Sequence, residues 1–325
     1  MNLRQLITPR PARGGLLAVE KASLAYNALT TVLLLTLYAR LDHPLLMLAQ
    51  RALIAAGTLL LAWLTRFYNS RLTDFVRATY QLVLLSYWYP DTYEFNQLFP
   101  NLDHLFAHAE QWLFGCQPSL LFSQRFPQLW VSELLNLGYV SYYPMILFVS
   151  VAAWLFSYDH FQETVFVIAA SFFVYYVVFI ILPVVGPQYY FPAVGLDRVA
   201  QGVFPSLGDY FRYHSELLPG TDGGSGFFYN LVNLSQEVGE RPTAAFPSSH
   251  VGLGTILLLL SWRDSRPLFY VLVPFYVCLC CATVYIQAHY LLDAIVGFLT
   301  SFLVYALTTW VYRRYLRQGC GSARP

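Results

Sequence analysis

Charge is scarce in this chain. Asp, Glu, Lys and Arg together make up 11% of its 325 residues, and Lys21 is the only lysine; an ordinary soluble domain carries about 25% charged residues. So little charge cannot cover a globule in water, which excludes a soluble protein. Nor is there a basic tract, which excludes nucleic acid as a partner. Cysteine is sparse too. Cys116, Cys278, Cys280, Cys281 and Cys320 are odd in number and match no zinc spacing, so neither a disulfide framework nor a cysteine metal site is expected. Three of them share one apolar run, where thiols act as small hydrophobes. The first 21 residues lack a cleavage site ahead of the apolar sequence and read as a retained tail, not a signal peptide.

What the chain has instead is apolar and aromatic sequence: 57% hydrophobic and 18% aromatic. Tyr and Trp favour membrane–water interfaces, and a helix needs about 20 apolar residues to cross a bilayer. Runs at 22–39, 131–157, 163–185, 267–288 and 290–312 meet that length. The shorter run 250–262 and the less clean runs 45–65 and 72–89, with Arg51 and Arg77 near their starts, complete the set. The expected fold is all-α and integral to the membrane, a polytopic bundle of about eight transmembrane helices.

Eight spans put both termini on one side. The segments on that side hold Arg4, Arg10, Arg13, Lys21, Arg66, Arg71, Arg77, Arg263, Arg266, Arg313, Arg314, Arg317 and Arg324, while the other side keeps Arg40, Arg125, Arg198, Arg212 and Arg241. The excess of cations marks the termini's side as cytoplasmic. The polar connections 90–130 and 186–249 and the turn before Tyr290 then face outward, to periplasm or lumen. The chain accordingly divides into a tail (1–21), N-terminal spans (22–89), an outer interfacial segment (90–130), a core (131–312) and a second tail (313–325).

Within the outer segments, apolar residues at 102, 105, 106, 109, 112 and 113 follow a helical period and predict a helix lying in the interface plane. His104 and His108 on it could share a metal, but no third ligand is evident, and a polar face toward headgroups is preferred. Gly223-Gly224-Ser225-Gly226 neither follows a strand nor opens a helix and reads as a flexible loop. Asn233-Leu234-Ser235 is a glycosylation sequon, with meaning only in a eukaryotic secretory setting. Glu133 stands at the start of a span, where a charge at a helix terminus is common. Tyr and Phe pairs around 142–143 and 172–176 read as packing or interface belts.

Two polar clusters at span ends remain. In Arg241-Pro242-Thr243-Ala244-Ala245-Phe246-Pro247-Ser248-Ser249-His250, a proline and two serines precede an apolar helix. Free amides at such a start suit a phosphate, with His250 as proton donor; simple capping by Ser248 explains the same residues. In Gln287-Ala288-His289-Tyr290-Leu291-Leu292-Asp293, His289 and Asp293 are four apart and on a helix would share a face. A carboxylate on one ring nitrogen leaves the other as nucleophile or base; the alternative is polar glue between helices.

Pro247-Ser248-Ser249-His250 resembles the second motif of the type 2 phosphatidic acid phosphatase superfamily, usually Pro-Ser-Gly-His. His289 with Asp293 resembles the His-x-x-x-Asp end of its third. The resemblance covers about 131–312 and implies a six-helix core and a lipid phosphate or phosphodiester substrate handled without metal or cofactor. It also implies a phosphohistidine on His289, with Asp293 orienting it, His250 as acid, and Ser248 and Ser249 holding phosphate. Thr283 stands where the third motif carries Arg, and the first motif's Lys and Arg-Pro are replaced by Gly186-Pro187-Gln188-Tyr189-Tyr190-Phe191-Pro192. That pattern, with His-Tyr-x-x-Asp, is closest to the inositol phosphorylceramide synthase branch, whose members move phosphoinositol onto a sphingolipid. Gln188 and Arg241 are the expected substitutes at the phosphate, Arg212 and Arg198 weaker ones. A plain lipid phosphate phosphatase is the alternative, and a non-catalytic lipid carrier a further one.

Overall fold

The computed structural model describes residues 4–11, 15–218, 226–239 and 241–317. Arg13, Gly223, Gly224, Ser225, Cys320 and Arg324 lie outside the described residues. In chain order the helices begin with α1 (Arg4–Ile7), α2 (Ala18–Thr36), α3 (Pro44–Leu64), α4 (Arg71–Val83) and α5 (Leu85–Asn96). There follow α6 (Asp103–Phe114), α7 (Pro118–Arg125), α8 (Leu129–Val140), α9 (Tyr142–Phe156) and α10 (Tyr158–Ile181). The last are α11 (Pro187–Val194), α12 (Leu196–Ala200), α13 (Phe227–Gly239), α14 (Ser249–Asp264), α15 (Arg266–Tyr285) and α16 (Leu291–Val311). No strand occurs among the described residues. Proline opens α3, α7 and α11, where its missing N–H costs nothing and its fixed φ suits the helix.

Among the described residues, four helices are long and apolar enough to cross a membrane: Pro44–Leu64, Tyr158–Ile181, Arg266–Tyr285 and Leu291–Leu316. A fifth span results if α8 and α9, bent by 42° at their junction, act as one. The other three expected spans run through helices that are broken, short or polar along one face. The run 72–89 is broken into α4 and α5 at Leu84. Helix α14 has 16 residues, about 24 Å at 1.5 Å each. Helix α2 buries Glu20, Ser23, Asn27 and Thr30 along one face.

The chain forms two compact units, one of residues 1–85, 150–173 and 303–325, the other of 86–149 and 174–302. In the first, Arg77 donates from Nε to Glu20 Oε1 at 2.7 Å and from Nη1 to Thr65 at 3.0 Å, tying α4 to α2 through a fully buried ion pair. The second holds every candidate site residue. There α15 packs against α8 and α14, and α13 against α8. At Gly297 the backbone of α16 lies against the Ser248 carbonyl, with no room for a Cβ. Two polar clusters far apart in sequence meet because that glycine is bare.

Candidate active site

The stretch before α14 is irregular and buried. Ala244 takes a left-handed φ of 69° and Phe246–Pro247 is cis. Ser248 closes it: its amide donates to the Asp293 carbonyl at 3.0 Å, and its hydroxyl accepts from the Val251 amide at 3.4 Å, capping α14. The next two amides, of Ser249 and His250, donate to no acceptor among the described residues. They lie at the positive end of the helix. His250 sits in the first turn, its ring between Tyr139 (centroids 4.7 Å apart, stacked) and Tyr142 (4.5 Å).

His289 is placed differently from the sequence expectation. It lies on the turn between α15 and α16, not on a helix with Asp293. Its amide donates to the Thr283 carbonyl at 3.0 Å, and the preceding turn residue, Gln287, has a φ of 64°. The ring's Nδ1 is 2.7 Å from the Ala245 carbonyl oxygen and 3.8 Å from Asp293 Oδ2. A carbonyl only accepts, so Nδ1 carries the proton and, in the neutral ring, Nε2 is left with its lone pair. That nitrogen lies 3.3 Å from Nδ1 of His250, which must then be the donor. Asp293 is spent elsewhere: its Oδ2 accepts from the Tyr290 amide at 2.8 Å. Its distance from His289 makes it an electrostatic partner; the hydrogen bond belongs to Ala245. Ser248, Ser249, His289 and Asp293 are all buried, and His250 alone is partly exposed, so the approach to Nε2 runs past His250.

Behind this pair lies a group that the sequence reading missed. Helix α6 turns Asp103, Ala107 and Glu110 inward and leaves Leu105, Trp112 and Leu113 exposed. Asp103 accepts from the Val185 amide (2.7 Å), the Gly186 amide (2.8 Å), Asn101 Nδ2 (2.6 Å) and Tyr290 Oη (3.1 Å). Burial pushes its carboxyl up to about 6 against those four donors. Glu110 accepts from the Leu292 amide at 3.0 Å through Oε1, while Oε2 is buried with no partner among the described residues. Burial, with nearby Asp293 adding, pushes it up to about 7. The expected interfacial helix thus has its acids turned inward and its apolar side outward.

The remaining expected residues are arranged as follows. Gln188 is buried; its amide N–H donates to the Gln287 carbonyl at 2.9 Å, its carbonyl accepts from the Leu218 amide at 2.8 Å, and its Oε1 accepts from Gln236 at 3.1 Å. It braces the His289 turn. Arg241 is exposed, and Arg212 lies near the Tyr213 ring, 5.9 Å from its centroid. Thr283, at the position where the third motif usually carries arginine, is buried and donates its hydroxyl to its own helix at Cys280. Glu133 accepts from the Phe228 and Tyr229 amides, at 3.1 and 3.0 Å, and so caps α13. Asn233 of the sequon lies within that helix. His108 is exposed beside the Phe204 ring, and no group of three His, Cys, Asp or Glu among the described residues is placed to hold a metal.

A family model described as the PAP2 superfamily matches residues 104–307, a stretch that takes in both histidines and nearly all of α6. No curated protein and no solved structure matches the chain.

Proposed function

The chain belongs to the PAP2 superfamily, whose members are phosphatases and phosphotransferases, and from that premise we propose that it cleaves a lipid phosphate ester through a phosphohistidine on His289. One observation carries the reading: the Ala245 carbonyl holds the Nδ1 proton, so the lone pair of Nε2 faces His250. In the first step Nε2 bonds to phosphorus and the ester P–O bond breaks. His250 enters as imidazolium, the form that an adjacent phosphate favours. It gives its proton to the leaving oxygen and is left neutral. Phosphorylation makes the His289 ring cationic, and Asp293 at 3.8 Å stabilises that charge. In the second step water or an alcohol attacks phosphorus, neutral His250 takes its proton, and Nε2 leaves. The amides of Ser249 and His250, with Ser248, cradle the phosphate oxygens. Arg241 and Gln188 are the other groups offered for that charge, and no metal is used.

The two imidazoles touch, so one must move for catalysis. An attacking atom stands about 3–3.5 Å from the atom it attacks, and a hydrogen bond to the leaving oxygen adds about 2.8 Å on the far side. His289 is pinned at Nδ1; His250 has no other hydrogen-bond partner among the described residues. His250 therefore turns aside between its tyrosines. The wider setting proposed is a bundle of eight spans with a six-helix core, termini cytoplasmic, site facing the outer leaflet. The replaced first motif favours transfer of a phosphoinositol-type headgroup to a sphingolipid over hydrolysis.

The test uses purified protein with labelled phosphatidylinositol plus ceramide and, separately, phosphatidic acid, quenching for trapped label. Label on the wild type that is absent from His289→Ala is expected. Inorganic phosphate from phosphatidic acid without headgroup exchange would make the enzyme a hydrolase. Turnover unchanged in His289→Ala would refute the nucleophile.

A further inference from the structure

Helix α6 spends two buried carboxylates on the frame around His289. Asp103 and Glu110 are seven residues apart on one face, both with no exposed surface, and burying an acid is costly unless its partners compensate. Their partners are the two chain segments that border the nucleophile. Asp103 gathers the consecutive Val185 and Gly186 amides at the start of α11 and the Tyr290 hydroxyl. Gly186 has a φ of 93°, and a Cβ there would sit 2.6 Å from the Ala288 carbonyl oxygen, so this backbone lies directly on the His289 turn. Glu110 takes the Leu292 amide at the start of α16. Between these anchor points lie Ala288 and His289.

On the reading of His289 as nucleophile, we propose that Asp103 and Glu110 are positioning residues that hold the 286–292 turn so that Nε2 meets phosphorus in line. They act through main-chain amides and through Tyr290. They have a second effect. The starts of α11 and α16 are anion sites in their own right, and both are filled by carboxylates from within the chain. The start of α14 keeps two open amides, those of Ser249 and His250, and His250 carries the ring that lies beside Nε2. A phosphate is thereby directed to one cradle and kept from two others that would present it at the wrong angle.

The atoms involved make the two sites respond differently to isosteric change. Both oxygens of Asp103 accept, so an amide at 103 turns an NH2 group against donors. At Glu110 only Oε1 accepts and Oε2 has no partner, so an amide can keep the one bond that matters. Kinetics on Asp103→Ala, Asp103→Asn, Glu110→Ala and Glu110→Gln, in detergent and with His289→Ala as control, test this. Misplacement of a reacting group by about 1 Å costs on the order of 10²-fold. Both alanine variants and Asp103→Asn are expected to lose kcat on that scale with KM little changed, while Glu110→Gln recovers most of what Glu110→Ala loses. Retention of wild-type kcat by Asp103→Asn, or a rise in KM at constant kcat in the alanine variants, overturns the positioning role while leaving the nucleophile intact. If the alanine variants do not fold, the Asn and Gln pair still decides, since equal activity in both contradicts the atom assignment. Absence of His289-dependent turnover in the wild type removes the function and this inference together.

Discussion

Glu110→Gln should make the protein more stable, and only above mildly acidic pH. In the folded chain this carboxyl is pushed from 4.5 up to about 7, so between those values the folded state holds more proton than the unfolded one. Stability therefore falls as pH rises through that window. The gap, at 1.36 kcal/mol per pH unit, corresponds to roughly 3 kcal/mol. Glutamine is neutral throughout and keeps the acceptor for the Leu292 amide. Variant and wild type should match near pH 4.5 and diverge to about 3 kcal/mol by pH 8. At 2–4 °C per kcal/mol for domains of 150–250 residues, that is roughly 6–12 °C in Tm. Thermal unfolding in one detergent, followed by tryptophan fluorescence at several pH values, reads it directly. A difference that stays constant with pH, or a variant less stable at pH 8, would refute the argument that Glu110 is an uncompensated buried acid.

Other expectations follow from contacts already described. Gly297→Ala places a methyl on the Ser248 carbonyl; overpacking of this kind costs about 1–3 kcal/mol, and here it also separates the two histidines, so kcat should fall with Tm. Arg77→Ala strands fully buried Glu20, a loss of about 3–5 kcal/mol for a broken buried pair. Removing Glu20 as well should recover part of that, and a double-mutant cycle by thermal unfolding measures the coupling.

Much of the candidate site was legible because it is made of side chains of unusual type at helix ends. Ser248 and His250 before an apolar run, and His289 four residues from Asp293, stand out wherever charge is scarce. What could not be read is the main chain. The group that fixes the His289 tautomer is the Ala245 carbonyl, and no residue type announces a carbonyl; the i, i+4 spacing pointed to Asp293, which is nearby but bonded to Tyr290. The inward face of α6, with Asp103 and Glu110, was missed for another reason. Its apolar periodicity was clear, but periodicity gives a face, and in a lipid setting the apolar face turns outward. Acids at 103 and 110 flanking Ala107 were the available sign that the opposite face is internal. The apolar runs were found in place, yet a run of the right composition can still be cut, as at Leu84, or end short, as in α14.

That the Nδ1 proton of His289, the proposed nucleophile, is held by a peptide oxygen has an evolutionary consequence. A side-chain acceptor can be lost in one nucleotide change; a backbone acceptor survives every substitution that leaves the loop's path intact. Drift can therefore rewrite the identity of residue 245 without changing which ring nitrogen of His289 carries the proton, whereas an insertion or deletion between Arg241 and Ser248 would remove that acceptor with both motifs unaltered.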